Sequence, residues 1–272
     1  MKRILIIGNG LIGSYLRSLF NDDFEVASSQ RGNCREEHYI DLSVPPSTWN
    51  VDFSCFNYVL IAAGIGGEDL CRVNPELSYR TNVEGTISLL ELLSSTSCKP
   101  IFFSSTYVNS FTSKSTDQIE LFPYTYQKWL VEQEIFHSFP QAIVFRPGKV
   151  LSPTQTFIQQ LNSNSKIGNL MPVFSDYFIS PTSLLNLGRV VKKLLETDFS
   201  GPFNLVSDKP TSYFNLARDW CLLKGISANF LREVSYSGVK RDIEISHNIS
   251  ANDLAKINEI PETLEAILHS II

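Results

Sequence analysis

The sequence predicts an α/β protein with a doubly wound parallel sheet and a smaller C-terminal α/β region. Over the first 150 residues, short apolar runs alternate with longer amphipathic segments, and the runs are apolar throughout, as in strands buried on both faces. After Arg146-Pro147-Gly148, serine and asparagine become common, and helical segments are joined by short extended pieces. We therefore divide the chain into residues 1–150 and 151–272, and expect the segment around 183–205 to return to the first region.

Apolar periodicity defines the individual elements. Continuous runs of Ile, Val, Leu and Phe predict strands at Arg3–Ile7, Glu25–Ser28, Tyr58–Ala62, Pro100–Ser104 and Ala142–Arg146. Apolar residues spaced by three or four predict helices at Leu11–Phe20, Pro75–Leu93 and Tyr124–Ser138. In the C-terminal region we predict helices at Leu184–Thr197, Ser212–Leu223 and Glu262–Ile271.

Composition excludes several classes of protein. The 272 residues carry 23 Lys and Arg against 28 Asp and Glu, and this net charge of −5 gives no support to nucleic-acid binding. No apolar stretch approaches the roughly 20 residues of a membrane span, and no signal-peptide cleavage site follows the first apolar run. The cysteines and histidines show no spacing typical of a disulfide framework or a metal site; the cysteines are Cys34, Cys55, Cys71, Cys98 and Cys221. We therefore expect a cytoplasmic protein with no metal and no membrane partner.

A glycine-rich turn follows the first predicted strand. Gly8, Gly10 and Gly13 form a GxGxxG pattern, in which the glycines allow a tight turn, close approach of a pyrophosphate and close helix–strand packing. The helix that begins at Leu11 and Ile12 then offers free amides and a partial positive charge to phosphates. Because the pattern lies directly after a strand, it predicts a dinucleotide site in a Rossmann domain rather than a mere glycine turn.

The end of the second predicted strand bears on the choice of dinucleotide. A carboxylate there binds the ribose 2′-hydroxyl of NAD, whereas an arginine favours the 2′-phosphate of NADP. The segment Ala27-Ser28-Ser29-Gln30-Arg31 has no carboxylate and one arginine. We therefore favour NADP(H) with Arg31 as its partner. NAD(H) stays open, because Arg31 could also be a solvated loop residue.

Tyr124 and Lys128 are four residues apart and therefore share one face of a predicted helix. A tyrosine has an ordinary pKa of about 10, so proton exchange at neutral pH requires preferential stabilisation of the phenolate. We expect Lys128 and an oxidised nicotinamide ring to lower that pKa. Tyr236 and Lys240 have the same spacing, but they lack the strand and serine context, and we treat them as a chance match.

Polar residues follow the fourth predicted strand. Ser104, Ser105 and Thr106 come directly after Phe102 and Phe103, nineteen positions before the tyrosine–lysine pair. Because parallel sheets bind ligands at the carboxyl ends of their strands, we expect hydroxyls in the site here. The alternative is a turn that uses serine for local hydrogen bonds.

Together these features resemble the extended short-chain dehydrogenases/reductases of the NAD-dependent epimerase/dehydratase family, which act on nucleotide sugars. The resemblance rests on Gly8, Gly10, Gly13, Asp41-Leu42, Ala62-Ala63-Gly64, Asn82-Val83-Glu84-Gly85-Thr86, Ser104-Ser105, Tyr124, Lys128 and Arg146-Pro147-Gly148. It implies that residues 1–150 bind the dinucleotide and that residues 151–272 bind the substrate. It also implies a catalytic set of Ser105 (rather than Ser104), Tyr124 and Lys128. For the cofactor it implies adenine contacts at Asp41 and Leu42, a wall at Ala62, Ala63 and Gly64, and further contacts at Asn82 and Pro147.

Within the family, the chain is similar to the 4-keto-sugar reductases of the dTDP-4-dehydrorhamnose reductase group. Asp176–Thr182 resembles that group's Asp-x-x-Gly-x-Pro-Thr segment, with Ile179 in place of the glycine, and Gly201–Val206 resembles its returning strand. Dehydratases of the family carry an Asp-Glu pair where this chain has Thr106 and Tyr107, so we do not expect dehydration. The Asn109–Phe122 loop is shorter than is usual in the family. The candidates for the sugar pocket are Thr106, Tyr107, Asn109, Lys149 and Tyr177.

Three functions remain open. The first is NADPH-dependent reduction of a nucleotide-linked 4-keto-6-deoxy sugar in polysaccharide or deoxysugar biosynthesis, with Tyr124 as general acid. The second is a nucleotide-sugar 4-epimerase that keeps NAD tightly bound. The third is a non-catalytic NADP-sensing binding protein, although such proteins usually lose the tyrosine–lysine pair. The family often pairs through helices, so Pro75–Leu93 and Tyr124–Ser138 could supply a homodimer face.

Overall fold

A six-stranded sheet forms the centre of the fold in a computed structural model of the chain. The description covers residues 1–29, 31–32, 38–111, 120, 122–236 and 252–272, so Gln30, Cys34, Lys240 and most of the Asn109–Phe122 segment lie outside it. The strands are β1 (Arg3–Ile7), β2 (Glu25–Ser28), β3 (Tyr58–Ile61), β4 (Lys99–Phe103), β5 (Ile143–Pro147), β6 (Lys149–Leu151), β7 (Met171–Phe174), β8 (Phe178–Ile179), β9 (Pro181–Ser183), β10 (Gly201–Leu205), β11 (Thr211–Ser212) and β12 (Leu231–Val234).

The strand order of the central sheet is β10-β5-β4-β3-β1-β2. The pairs β1–β2, β1–β3, β3–β4 and β4–β5 are parallel, with Leu5 opposite Val59 and Ile101 opposite Ile143. The order reverses at β1, which places the carboxyl end of β1 at the switch point where such sheets bind ligands. The predicted Rossmann-like α/β fold is confirmed.

The helices are α1 (Leu11–Phe20), α2 (Glu68–Val73), α3 (Pro75–Tyr79), α4 (Gly85–Ser94), α5 (Pro123–Ser138), α6 (Thr156–Ile167), α7 (Leu184–Leu195), α8 (Tyr213–Leu223) and α9 (Leu264–His269). The Pro75–Leu93 helix predicted from sequence is wrong in one respect, because a π-helical turn over Arg80–Glu84 separates α3 from α4. The wider turn adds one residue to the helix. It ends at Gly85, where a Cβ atom would lie 1.9 Å from the Leu42 carbonyl oxygen, so only glycine fits.

The chain divides into two compact units. The first consists of Met1–Arg146 and Val190–Phe203, and the second of Pro147–Arg189 and Asn204–Ile272. Aliphatic side chains from the strands and from α4 and α5 form a core in the first unit, where Leu5, Val59 and Val144 are fully buried. A separate core in the second unit surrounds Trp220, which is 1% exposed.

Candidate active site

The turn after β1 has no room for a side chain at two of its three glycines. Gly8 has a φ of 112°, and a Cβ atom there would lie 2.6 Å from the Ala63 nitrogen. A Cβ atom on Gly13 would lie 1.8 Å from the Gly8 carbonyl oxygen, so this glycine lets α1 pack against the turn. Gly10 differs, because a Cβ atom there would meet nothing within 4 Å. Two of the three glycines are therefore required by the fold, and the third leaves open space.

The backbone amides at the N-terminus of α1 have no side-chain cap and lie beside the open space at Gly10. Gly10 is the N-cap residue, and no side chain caps the helix. Leu11 and Ile12 begin the helix, so their amides have no partner within it. An uncapped helix start beside an open glycine is the arrangement that binds phosphate through backbone amides and the helix dipole.

A cleft of about 390 Å³ begins at this turn, a volume that suits a small-molecule site. It brings together eight of the predicted cofactor residues, which are Gly8, Gly10, Arg31, Asp41, Leu42, Ala62, Ala63 and Gly64. Arg31 is exposed, and the Asp41 carboxylate is engaged by the Ser43 amide (2.9 Å) and hydroxyl (2.7 Å). The cleft therefore offers a cation where the sequence predicts the 2′-phosphate.

Ser29 is a cleft residue that the sequence analysis did not assign. Its Oγ accepts a hydrogen bond from the Gly8 amide at 3.1 Å, and its carbonyl oxygen accepts one from Asn9 Nδ2 at 2.9 Å. Ser29 thus fixes the glycine turn from the end of β2. Its place directly after a strand, two residues before Arg31, is the signal that could have identified it.

Asn82 acts on the loop that follows β3. Its Oδ1 accepts from the Ile65 amide at 2.7 Å, while its Nδ2 donates to the Ile65 carbonyl oxygen (2.9 Å) and to Gln127 Oε1 (2.8 Å). The side chain is 3% exposed. Asn82 therefore holds the loop that carries the predicted cofactor wall, and its own contact with a cofactor stays a prediction.

Tyr124 and Lys128 meet at the carboxyl end of β4. Lys128 Nζ donates to the Phe103 carbonyl oxygen at 2.8 Å and lies 5.7 Å from the centre of the Tyr124 ring. An ammonium has three donors, so two remain for other partners. Lys128 is buried and Tyr124 is partly buried. Gly64 of the predicted cofactor wall comes close, since a Cβ atom added there would lie 3.9 Å from Lys128 Nζ. The predicted pair is therefore brought together beside the cleft.

The pKa values of this pair move in opposite directions. Burial raises the pKa of Tyr124, and the Glu68 carboxylate and the Cys71 thiol raise it further. Burial lowers the pKa of Lys128 to about 8, against the opposing effects of Glu132 and Cys71. In the chain by itself, burial and a neighbouring carboxylate dominate the pKa of Tyr124. The lowering expected from Lys128 together with an oxidised nicotinamide ring stays a prediction. Tyr124 is protonated at neutral pH.

Ser105 begins a 3₁₀ turn over Thr106–Ser110 directly after β4. Its Oγ accepts from the Tyr107 amide at 3.3 Å, which leaves its own proton available. Ser104 is buried, and within the described residues its Oγ has no hydrogen-bond partner. Both serines therefore lie at the same end of β4 as Lys128, with Thr106 buried and Tyr107 partly buried beside them.

A buried ion pair joins the serine turn to α5. Arg146 Nε donates to Glu132 Oε1 at 2.9 Å, a second guanidinium nitrogen pairs with Glu132 Oε2, and Nη1 donates to Asn109 Oδ1 at 2.7 Å. Glu132 is fully buried. Asn109, predicted for the sugar pocket, thus links its turn to Arg146, and any contact with a sugar stays a prediction.

Pro147, Lys149 and Tyr177 fall in the second unit. Pro147 ends β5 and is buried, and burial lowers the pKa of the partly buried Lys149. The Tyr177 ring packs against the rings of Tyr213 (5.5 Å between centres) and Tyr236 (4.8 Å). The roles predicted for these residues stay predictions.

Glu68 is a residue beside Tyr124 that the sequence pattern did not identify. Its carboxylate accepts hydrogen bonds from the Tyr124 amide, the Thr125 amide and the Thr125 hydroxyl. The signal was present as Gly66-Gly67-Glu68-Asp69, since two glycines before two acidic residues are typical of a helix start. The contact with Tyr124 spans 56 residues, however, and no local pattern predicts it.

Among the residues that the structure describes, no group of three or more His, Cys, Asp or Glu side chains could hold a metal ion. No helix in the same part of the chain is long and apolar enough to cross a membrane.

Comparison with known proteins identifies relatives at the level of family and fold. The family described as NAD dependent epimerase/dehydratase matches residues 4–174. No curated protein matches the chain in sequence.

Solved structures share the fold over the whole chain. dTDP-4-dehydrorhamnose reductase from Bacillus anthracis, in complex with NADP, has a TM-score of 0.80 at 17% identity, covering 100% of this chain and 99% of that one. dTDP-glucose 4,6-dehydratase from the same organism, in complex with NAD, has a TM-score of 0.71 at 16% identity, covering 100% and 95%. UDP-N-acetylglucosamine 4-epimerase from Methanobrevibacter ruminantium has a TM-score of 0.73 at 16% identity, covering 98% and 97%. At these identities the likeness establishes the fold.

Proposed function

The chain belongs to the NAD-dependent epimerase/dehydratase family, and from that premise we propose that it is an NADPH-dependent reductase of a nucleotide-linked 4-keto-6-deoxy sugar. The observation that carries the proposal is the pairing of Tyr124 with Lys128, whose Nζ lies 5.7 Å from the centre of the Tyr124 ring beside the cleft. Reduction of a ketone needs a proton donor, whereas the first step of epimerisation needs a base. Tyr124 keeps its proton at neutral pH and can serve as that donor.

The described residues fit a nicotinamide dinucleotide. The open space at Gly10 and the uncapped start of α1 suit the pyrophosphate, Asp41 and Leu42 line the cleft beyond it, and Arg31 suits a 2′-phosphate. A solved relative by fold, dTDP-4-dehydrorhamnose reductase, is complexed with NADP, which supports the same preference here.

Three side chains have distinct roles in the proposed reaction. A bound nicotinamide supplies the hydride that reduces the carbonyl carbon. Tyr124 donates its phenolic proton to the carbonyl oxygen, and Ser105 donates a hydrogen bond to the same oxygen as negative charge develops there. Lys128 is fixed by the Phe103 carbonyl oxygen, and its two remaining donors can hold ribose hydroxyls and stabilise the tyrosinate until solvent reprotonates it.

Thr106 and Tyr107 separate this proposal from dehydration. They occupy the positions where the resemblance places the acid and base of dehydratases, and neither side chain is a carboxyl group. We assign Thr106, Tyr107, Asn109, Lys149 and Tyr177 to the sugar pocket as part of the proposal.

The test is incubation of the purified protein with NADPH and a panel of dTDP-, GDP-, CDP- and UDP-linked 4-keto-6-deoxy sugars. We expect stoichiometric loss of the reduced-nicotinamide absorbance with one sugar, and NMR identifies the product. NADH serves as the matched control for Arg31, and we expect it to be the poorer donor. Isomerisation of a sugar without consumption of NADPH would favour the 4-epimerase, and NADPH binding without either reaction would favour a sensor.

A further inference from the structure

Glu68 binds the first turn of the helix that carries Tyr124. Its Oε2 accepts from the Tyr124 amide at 2.8 Å, and its Oε1 accepts from the Thr125 amide at 3.1 Å and from the Thr125 hydroxyl at 2.6 Å. Glu68 is itself the first residue of α2 and is partly buried. One carboxylate thus joins the starts of two helices.

These hydrogen bonds provide acceptors for the backbone amides in the first turn of α5, which have no partner within the helix. The turn begins with Pro123, which has no N–H, and the first donor with an acceptor near the helix start is the Tyr126 amide, bonded to the Phe122 carbonyl oxygen at 2.9 Å. Phe122, the N-cap residue, has no side chain able to cap. The Tyr124 and Thr125 amides therefore depend on Glu68, a residue far away in the sequence.

Glu68 also ends the loop that carries the cofactor wall. The loop leaves β3 through Ala62, Ala63 and Gly64 and reaches Glu68 four residues later. Its middle is held by Asn82, which also bonds Gln127 on α5 at 2.8 Å. The loop is therefore tied to α5 twice, once through Asn82 and Gln127 and once through Glu68 and the backbone of Tyr124.

We propose that Glu68 is a positioning residue that fixes Tyr124 relative to the cofactor wall. The inference rests on the proposed function of Tyr124 as proton donor. Because the same carboxylate ends the loop and binds the start of α5, Tyr124 keeps a fixed position relative to the cofactor wall. A misplacement of about 1 Å in such a group costs roughly 100-fold in rate.

Glu68 also affects Tyr124 through its charge. The groups that face Tyr124 are Glu68 and Cys71 from α2 and Lys128 from its own helix. After burial, the Glu68 carboxylate and the Cys71 thiol both raise the pKa of Tyr124, which favours the protonated phenol at neutral pH. Arg72, on the same helix as Glu68, offsets part of the effect of burial on the Glu68 carboxyl group.

The first experiment is amide hydrogen exchange in the wild type, Glu68→Ala and Glu68→Gln, with Asp69→Asn as the matched control. Asp69 is the exposed neighbour on α2, where it pairs with Arg72, and exposed pairs contribute little. We expect the Tyr124 and Thr125 amides to exchange at least about tenfold faster in Glu68→Ala, because a hydrogen bond to a charged group is lost. Glu68→Gln keeps one carbonyl acceptor and should restore part of the protection. Unchanged exchange in Glu68→Ala would overturn the proposal.

The second experiment measures the reaction of the same four proteins. In Glu68→Ala we expect kcat to fall roughly 10- to 100-fold while the NADPH dissociation constant stays unchanged. The solvent isotope effect on kcat should rise, because proton transfer from a misplaced tyrosine becomes slower, whereas partial unfolding would lower kcat without moving the isotope effect. Glu68→Gln should recover part of kcat, and Asp69→Asn should match the wild type. Equal loss of kcat in Glu68→Ala and Asp69→Asn would contradict a role specific to Glu68.

The two experiments keep this inference apart from the proposed function. If the wild type reduces no sugar in the panel, the reductase proposal fails, while amide exchange still decides whether Glu68 holds Tyr124. If the wild type is active and Glu68→Ala is equally active, the reductase proposal stands and the positioning role is overturned.

Discussion

The two ends of the candidate active site are built in different ways. At the end beside β1 and α1, the site consists of backbone and open space, with Gly10 leaving room and Leu11 and Ile12 offering amides. At the end beside β4 and α5, it consists of partly or fully buried titratable side chains, Tyr124 and Lys128. The first end is set by local chain geometry. The second depends on side chains that arrive from distant parts of the sequence.

We expect the greatest loss of turnover from a substitution at the side-chain end. Tyr124→Phe removes the proton donor but keeps the ring, so we expect turnover to fall by about 1,000-fold or more. NADPH binding, measured by fluorescence titration, should stay unchanged, because the phenol does not contribute to the phosphate end. Loss of both activity and binding would mean that Tyr124 supports the fold and that the two ends are not separable.

The next effect separates two glycines at the backbone end. Gly10→Ala places a methyl group in open space, so the melting temperature should stay unchanged, while the NADPH dissociation constant should rise about tenfold or more because the methyl group obstructs the pyrophosphate. Calorimetry and fluorescence titration give the two values. An unchanged dissociation constant would place the pyrophosphate elsewhere.

Gly13→Ala is the matched control for that prediction. Its methyl group would lie 1.8 Å from the Gly8 carbonyl oxygen, so we expect the free energy of unfolding to drop by about 1–3 kcal/mol or more. Urea denaturation measures the change. Equal stability of the two variants would contradict the distinction between a glycine required by packing and a glycine required by a ligand.

Arg31 is expected to distinguish NADPH from NADH in the cleft. Arg31→Ala should raise the NADPH dissociation constant about tenfold and leave that of NADH unchanged, because a charged hydrogen bond of roughly 1.5 kcal/mol to the 2′-phosphate is lost. Parallel titrations with the two cofactors give the ratio. Equal weakening for both cofactors would assign Arg31 to a general electrostatic role.

The smallest effect is on the pH dependence of turnover. The Lys128 ammonium, with its pKa lowered to about 8, loses its charge as the pH rises through that value, and the tyrosinate then loses its stabilising neighbour. We expect kcat to be highest below about pH 8 and to fall several-fold above it. Lys128→Arg keeps its charge and should flatten this fall, although its overall rate will be lower. A wild-type profile that is flat across this range would contradict the assignment.

The sequence predicted the backbone end better than the side-chain end. The bounds of β1 and α1 agree with the prediction, because an apolar run that ends at Gly8 leaves few alternatives. The helix α2 was missed because its six residues are too few for a periodic pattern. The bonds from Glu68 to Tyr124 and from Arg146 to Asn109 were missed because they cross 56 and 37 residues, and only the folded sheet brings such residues together.

The π-helical turn over Arg80–Glu84 limits how this protein could be redesigned. An engineer who deleted one residue there to obtain a regular helix would rotate everything before it by about 100°. Ser78, whose hydroxyl accepts a hydrogen bond from Gln127 at 2.9 Å, would swing away from α5. The π-helical turn therefore keeps Ser78 and Asn82 on the side of the helix that faces Gln127, and a regular α-helix would not keep both there.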